Sequence, residues 1–266
     1  MEAKIISSVQ NSLVKKILLL KDKSRERRKT GLFVAEGQRE LELASKGGYN
    51  FETLLYCPEI LPQLDSHLIS KNANAEIVQI SKQVYEKVAY RETTEGILAI
   101  GKAKKHSLED IRFTTKTPLV LVAEAPEKPG NVGALLRTAD AAGVDAVFIA
   151  NPKSDPYNPN IIRSSVGCVF TNQIGIGSTT EIIDFLKKYH LRINCAALTA
   201  SKNYVECDFT GATALVVGTE ATGLSEDWLQ NSDQNIIIPM QGEIDSMNVS
   251  VSAAILIFEA KRQRGL

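Results

Sequence analysis

At 266 residues, 44% apolar and 23% charged, the chain has the composition of a globular protein with one large domain or two ordinary ones. No run approaches the roughly 18 apolar residues of a membrane span, and the opening MEAKIISSVQ has no signal-peptide core, so a cytoplasmic protein is expected rather than a membrane or secreted one. The formal net charge of zero argues by itself against a nucleic-acid binder, but the charges are unevenly spread.

Residues 12–21 set Leu13, Val14, Ile17 and Leu18 among lysines, an amphipathic helix with an apolar stripe. Between Asn11 and Gly31, eight bases (Lys15, Lys16, Lys21, Lys23, Arg25, Arg27, Arg28, Lys29) face two acids (Asp22, Glu26), a local excess of six. Such a stripe is the footprint of a phosphate-backbone partner, and on charge alone a solvated helix and loop fit equally well. The basic turn KSRERRKTG feeds a strand at 32–35, and Glu36-Gly37 opens a second helix that stops at Gly47-Gly48. Strands are expected at 53–57 and 76–80, a helix at 82–89 and a last strand at 96–100. Residues 1–104 thus form a small mixed α/β unit, and the polar stretch at 105–117 reads as a linker.

From residue 118 onward strand and helix alternate. Strands are expected at 119–123, 146–150, 193–198 and 214–218, with helices at 131–142, 160–166, 181–189 and 226–230. The run Ile236-Ile237-Ile238 reads as a buried strand that Pro239 ends, because proline cannot donate to a ladder. Alternation of this kind means a parallel sheet covered on both faces. The last helix, 247–262, is apolar nearly all round: Met247, Val251, Ala254, Ile255 and Phe258 on one side, Val249, Ala253, Leu256 and Ile257 on another. A helix of that kind is packed on two sides. Ser246, Asn248, Ser250 and Ser252 crowd its entrance, where Ser246 or Asn248 suits an N-cap, as Asn131 does for the helix at 131–142. Arg137, amid Ala134, Leu135, Leu136 and Ala139, is harder to explain by packing, since arginine is rarely buried unpaired.

Several chemistries are set aside. Cys57, Cys168, Cys195 and Cys207 make no C-x-x-C pair and have no nearby histidine, so no zinc site is expected and the thiols read as reduced. Gly218 to Gly223 has P-loop spacing, but Leu224-Ser225 stands where Lys-Ser/Thr would do the work. Gly175-Ile176-Gly177 lacks the third glycine of a dinucleotide fingerprint and reads as a turn.

Three stretches remain: NVGALLRTADAAG from Asn131 to Gly143, LVVGTEATGLS from Leu215 to Ser225, and IPMQGEIDSMNVSVSAA from Ile238 to Ala254. In order and spacing they resemble the three signature motifs of the SpoU/TrmH family of RNA 2′-O-ribose methyltransferases. One departure is Met247, where the family usually has Leu, a volume-conserving swap. The likeness implies an α/β fold in which 118–266 is a parallel-sheet methyltransferase domain with a deep trefoil knot. A smaller α/β ribosomal-protein-like RNA-binding domain would precede it, a likeness carried by Lys15, Leu18 to Leu20, Arg28, Phe33, Glu36 and Gly37. Arg91 to Gly96 is similar to a loop that faces RNA in relatives, and a polar hairpin connection fits it nearly as well.

The resemblance also implies a site. S-adenosylmethionine would be held without metal by loops at the carboxyl ends of the strands, through Leu198, Thr199, Gly218, Ile238 and Met240, with Met247 and Ala253 flanking. Arg137 would lie at the catalytic centre. Since guanidinium keeps its proton, its effect would be to favour the ribose alkoxide as a fixed cation rather than to act as a base. Asn131, Glu220, Ser246 and Asn248 would hold Arg137 and the substrate. Lys23, Arg25, Arg27, Arg28 and Arg163 would meet RNA phosphates. A homodimer paired through the knotted domain is implied as well. The competing readings are a non-catalytic RNA-binding protein that keeps the fold, opposed by intact Arg137, Glu220, Ser246 and Asn248, and a nicotinamide oxidoreductase, opposed by the failed glycine fingerprints.

Overall fold

The computed structural model describes residues 4–90, 95–199, 201–219, 222–243 and 246–265. The first elements are β1 (Lys4–Ile6), α1 (Ser12–Asp22), α2 (Ser24–Thr30), β2 (Leu32–Glu36), α3 (Gln38–Lys46), β3 (Phe51–Tyr56), α4 (Ser66–Lys71), β4 (Glu76–Ile80), α5 (Lys82–Val88) and β5 (Ile97–Lys102). Next come β6 (Leu119–Glu124), α6 (Pro129–Ala142), β7 (Ala146–Ala150), α7 (Pro159–Ser164), β8 (Ile174–Gly177) and α8 (Thr179–Lys188). The chain finishes with β9 (Arg192–Ala196), the short β10 (Lys202–Asn203), β11 (Thr213–Val217), α9 (Glu226–Gln230), β12 (Gln234–Ile237) and α10 (Val249–Gln263). Two units result, one made of Met1–Lys105 with Asp155–Thr171, the other of His106–Ser154 with Asn172–Leu266.

The first unit is a mixed five-stranded sheet in the order β1-β4-β3-β5-β2. Val14, Ile17 and Leu20 of α1 and Val84, Tyr85 and Val88 of α5 pack on Val34, Leu55, Val78, Leu98 and Ile100 of the strands, so the stripe expected in α1 is its buried face. The expected basic turn at 23–31 is largely the helix α2, because Arg, Glu and Lys are good helix formers and Gly31, at φ 66, supplies the left-handed stop. Within α2 only Arg27 is buried, at 4% exposure. Its Nε and Nη2 donate to Asp155 Oδ2 at 3.0 and 2.5 Å, and Nη1 donates to the carbonyls of Leu20 and Lys21 at 2.6 and 2.9 Å. Arg27 therefore departs from the expected phosphate stripe: every polar edge of its guanidinium is used inside the unit. Lys23, Arg25 and Arg28 stay exposed.

The excursion 155–171 is held in this unit by aromatic packing. Tyr157 stacks on Phe33 at 4.9 Å between centroids and shares a hydroxyl contact of 3.2 Å with Tyr49, while Phe170 lies 5.2 Å from Phe33. Arg163, on α7, is thereby carried by the first unit, although in sequence it falls amid the second.

The second unit is a parallel sheet in the order β10-β12-β9-β11-β6-β7-β8. β11 enters late in the chain yet lies between β6 and β9, which turns the strand order back at the sheet centre. The stretch read as a linker is ordered onto this unit: Ile176 N–H donates to the His106 carbonyl at 2.8 Å, and Arg112 N–H donates to Gln173 Oε1 at 3.0 Å. Gly175-Ile176-Gly177 is not a turn but strand β8, and its first glycine is there for packing. A Cβ on Gly175 would come within 2.6 Å of the Phe148 ring. In α10, Ala253, Leu256, Ile257 and Ala260 are buried, and the helix packs on α6 and β11. Its other apolar side is open, with Val251 48% and Phe258 51% exposed.

Candidate active site

All strands of the parallel sheet run one way, so their carboxyl ends share an edge, and ligands of such sheets lie there beside a reversal of strand order. β9, β11 and β12 end at one cavity of about 480 Å³. Its walls are Ala196 to Thr199 after β9, Thr219 and Thr222 to Leu224 after β11, Ile236 to Ile238 with Met240 at the end of β12, and Ser246, Met247 and Ser252 at the entrance of α10. The volume is that of a small-molecule site. Of the residues expected around the donor, Leu198, Thr199, Ile238, Met240 and Met247 line it, as does Ser246. Ala253 does not: it is fully buried, and with about 100° of rotation per residue its neighbour Ser252 faces the cavity instead.

A second cavity of about 300 Å³ shares Thr219 with the first and is lined by Ala123, Pro126 to Lys128, Asn131, Leu135, Gly218 and Val249. Gly218 thus lines this cavity rather than the larger one. Its reason for being glycine is local, since a Cβ would come within 2.3 Å of the Gly223 backbone. That approach is set by reciprocal bonds, Thr219 N–H to the Gly223 carbonyl at 3.0 Å and Gly223 N–H to the Thr219 carbonyl at 3.1 Å. Glu220, expected at the tip of this loop, lies outside the described residues, as do Arg91 to Thr94.

Between the cavities the first and third motifs meet. Asn248 is the N-cap of α10: its Oδ1 accepts from Ser250 N–H at 2.9 Å and from Ser250 Oγ at 2.6 Å. Its Nδ2 donates to Asn131 Oδ1 at 3.2 Å. Asn248 is therefore the cap of α10 and, with the same amide, the partner of Asn131. Asn131 is not the cap of its own helix, because Pro129 starts α6 two residues earlier.

Glu124, at the end of β6, has no counterpart in the sequence reading. It is 6% exposed, and its carboxylate accepts from Thr179 Oγ1 at 3.1 Å, Ser225 Oγ at 2.6 Å and Ser225 N–H at 2.8 Å. It ties the starts of α8 and α9 to the sheet and so supports the loop after β11. An acid at the end of an apolar strand run was the signal available for it.

Arg137 is exposed, contrary to the apolar setting its neighbours suggest, because Leu135, Leu136 and Ala139 take the inward side of α6. It lines neither cavity and, among the described residues, makes no hydrogen bond or ion pair, which leaves its guanidinium open to a partner. Arg163 stays with the first unit. Among the described residues no group of three or more His, Cys, Asp or Glu could hold a metal ion, and no helix is long and apolar enough to cross a membrane.

Comparison with known proteins gives a consistent likeness over the whole chain. Residues 118–258 match the SpoU rRNA Methylase family, and residues 11–99 match the MRM3-like substrate binding domain. The chain is 31% identical over 258 residues to the 23S rRNA (guanosine(2553)-2′-O)-methyltransferase of Bacillus subtilis, covering 97% of this chain and 99% of that one. It is 28% identical to the 23S rRNA (uridine(2479)-2′-O)-methyltransferase of Streptomyces viridochromogenes, covering 90% of this chain and 85% of that one. Among solved structures, an AdoMet-bound rRNA methyltransferase from Sinorhizobium meliloti superposes with a TM-score of 0.89 at 25% identity, covering 98% of each chain. An RNA 2′-O ribose methyltransferase superposes with a TM-score of 0.83 at 36% identity, covering 98% of this chain and all of that one.

Proposed function

The chain belongs to the SpoU rRNA methylase family and is an S-adenosylmethionine-dependent RNA 2′-O-methyltransferase, and we propose that its substrate is ribosomal RNA of the large subunit. The relatives named above act on a guanosine and a uridine of 23S rRNA, which supports the RNA class and leaves the base open. When bound, S-adenosylmethionine supplies an electrophilic methyl group. The larger cavity suits it: it is of ligand size, lined by apolar side chains interspersed with the hydroxyls of Thr199, Thr219, Thr222, Ser246 and Ser252, and bordered by backbone where Pro239 breaks the ladder after β12. Leu198, Thr199, Ile238, Met240 and Met247 would hold it there.

The smaller cavity takes the target nucleoside, with Thr219 as the wall common to both ligands. Asn131 and Asn248 fix the start of α6 against the start of α10, so the ribose is oriented toward the donor. Arg137 approaches the ribose from the exposed side of α6 and lowers the free energy of the alkoxide as a fixed cation. The observation that carries this arrangement is the Asn131–Asn248 contact, which joins two sequence-distant motifs between two adjacent cavities.

Residues 1–104 serve to bind substrate RNA and 118–266 to transfer the methyl group. The open side of α10, with Val251 and Phe258, supports a homodimer paired through the second unit. The direct test is transfer of labelled methyl from S-adenosylmethionine to deproteinised 23S rRNA, followed by mapping of the 2′-O-methylated nucleotide. Label that appears on transfer RNA alone would overturn the substrate. Calorimetric titration of the donor in the presence of chelator tests the cavity, and a requirement for added metal would refute the metal-free site.

A further inference from the structure

Tyr90 follows α5 at the surface of the first unit, 43% exposed, yet its backbone is fixed from two sides. Its N–H donates to Glu36 Oε2 at 2.6 Å, and Glu36 Oε1 accepts from the buried Tyr85 hydroxyl at 3.3 Å. Lys21 Nζ donates to the carbonyls of Val88 and, at 2.8 Å, Ala89, and stands 5.9 Å from the centre of the Tyr90 ring. Tyr90, Glu36 and Lys21 border one small cavity together with Ile162 and the exposed Arg163. That cavity measures about 20 Å³, room for little more than one water, so nothing of nucleotide size enters it. Glu36 also lines its wall with carboxylate oxygens, which turn a phosphate away from the interior. The features left to a ligand are therefore on the outside: an aromatic face on a rigid mount, and a guanidinium at the rim.

We infer that Tyr90 is a stacking platform for an unpaired base of the substrate RNA, with Arg163 on the neighbouring phosphate. Aromatic faces accept any base, and such stacks add affinity without adding charge. Arginine contacts to phosphate do the reverse, contributing through counterion release and hence through salt dependence. The pairing of one of each at a single rim fits a single-stranded or bulged nucleotide and has no use in a duplex contact, where bases are stacked on each other. The inference rests on the reading that this chain acts on RNA, and it adds the site at which the first unit grips an unpaired nucleotide.

The two kinds of contact separate in one experiment. Affinity of the full-length protein for deproteinised ribosomal RNA is measured across a range of salt for the wild type, Tyr90→Phe, Tyr90→Leu and Arg163→Ala, with titration of S-adenosylmethionine as the control for folding. Tyr90→Phe is expected to bind as the wild type does. Tyr90→Leu is expected to bind about fivefold to a hundredfold more weakly at every salt concentration, with the salt slope unchanged. Arg163→Ala is expected to weaken binding and make the slope shallower by about 0.7 to 0.9. Tyr90→Leu binding as tightly as the wild type would overturn the platform. So would a shallower slope in Tyr90→Leu, because the ring would then act only by positioning a cation. Failure of the wild type to bind RNA at all would instead remove the RNA reading on which the inference stands.

Discussion

Asn248 divides its amide between two tasks, the oxygen capping α10 through Ser250 at 2.9 Å and the nitrogen reaching Asn131 across 3.2 Å. The two can be separated, because aspartate caps a helix as well as asparagine does but has no amide hydrogens. Asn248→Asp is expected to keep wild-type stability in chemical denaturation and to lose most methyl transfer. Asn248→Ala should lose both, with about 0.5–2 kcal/mol of stability gone with the cap. Full activity in Asn248→Asp would take the amide contact out of the site.

The Arg27–Asp155 pair makes a second distinction, between charges that bind and charges that hold the fold. Both groups are nearly out of solvent, at 4% and 11% side-chain exposure. Removing one partner strands the other, and breaking a buried pair costs about 3–5 kcal/mol. Arg27→Ala is therefore expected to shift the denaturation midpoint sharply. Charge-neutralising changes at Lys23, Arg25 and Arg28 should leave the midpoint within about 0.5 kcal/mol and lower RNA affinity in a salt-dependent way. An unshifted midpoint for Arg27→Ala would contradict the structural role drawn from its three partners, Asp155, Leu20 and Lys21.

Much of this division could be read from sequence, for reasons that differ by residue. Most strands and helices of the second unit, β8 and β10 excepted, follow from the alternation of apolar runs, and the loops at their ends carry the glycine and proline that sharp turns require. Leu198, Ile238 and Met247 meet at the larger cavity because loops after parallel strands have only one edge to meet at. Arg27 escapes a charge count because such a count carries no information on burial, and its partner Asp155 is distant in sequence. The same distance hid the membership of 155–171 in the first unit, which depends on Tyr157 and Phe170 finding Phe33. Ala253 stands one residue from the cavity wall, where Ser252 lies, since each step along a helix rotates the side chain by about 100°. Glu124 stands out in sequence as an acid ending an apolar run, but its role is legible only once the sheet exists, because Thr179 and Ser225 follow separate strands.

Arg137 is expected to matter for transfer and for nothing else that is easily measured. It is exposed on α6 and lines neither cavity, so Arg137→Ala should change stability by no more than about 0.5 kcal/mol and leave donor affinity nearly unaltered. Methyl transfer should fall to background. Arg137→Lys should also be poor, since a point charge does not reproduce the planar donor set of a guanidinium. Single-turnover assays with saturating donor decide this, and wild-type turnover in Arg137→Ala would exclude it from the mechanism.

The last prediction concerns the two apolar sides of α10. Ile257 is fully buried, packed with Leu256 and Ala260 on the inner side, so a charge there should unfold the second unit. Val251 and Phe258 lie seven residues apart on the open side, about two turns along one face. If that face is covered by a second copy, a two-fold contact would set each Phe258 against the same helix of its partner. Phe258→Glu should then give a folded monomer that still binds S-adenosylmethionine, whereas Ile257→Glu should give an unfolded chain. Sedimentation equilibrium at micromolar concentration reads the first outcome and circular dichroism the second. A wild-type mass matching one 29.1 kDa chain would refute the dimer, and a Phe258→Glu protein that remained dimeric would move the interface off this helix.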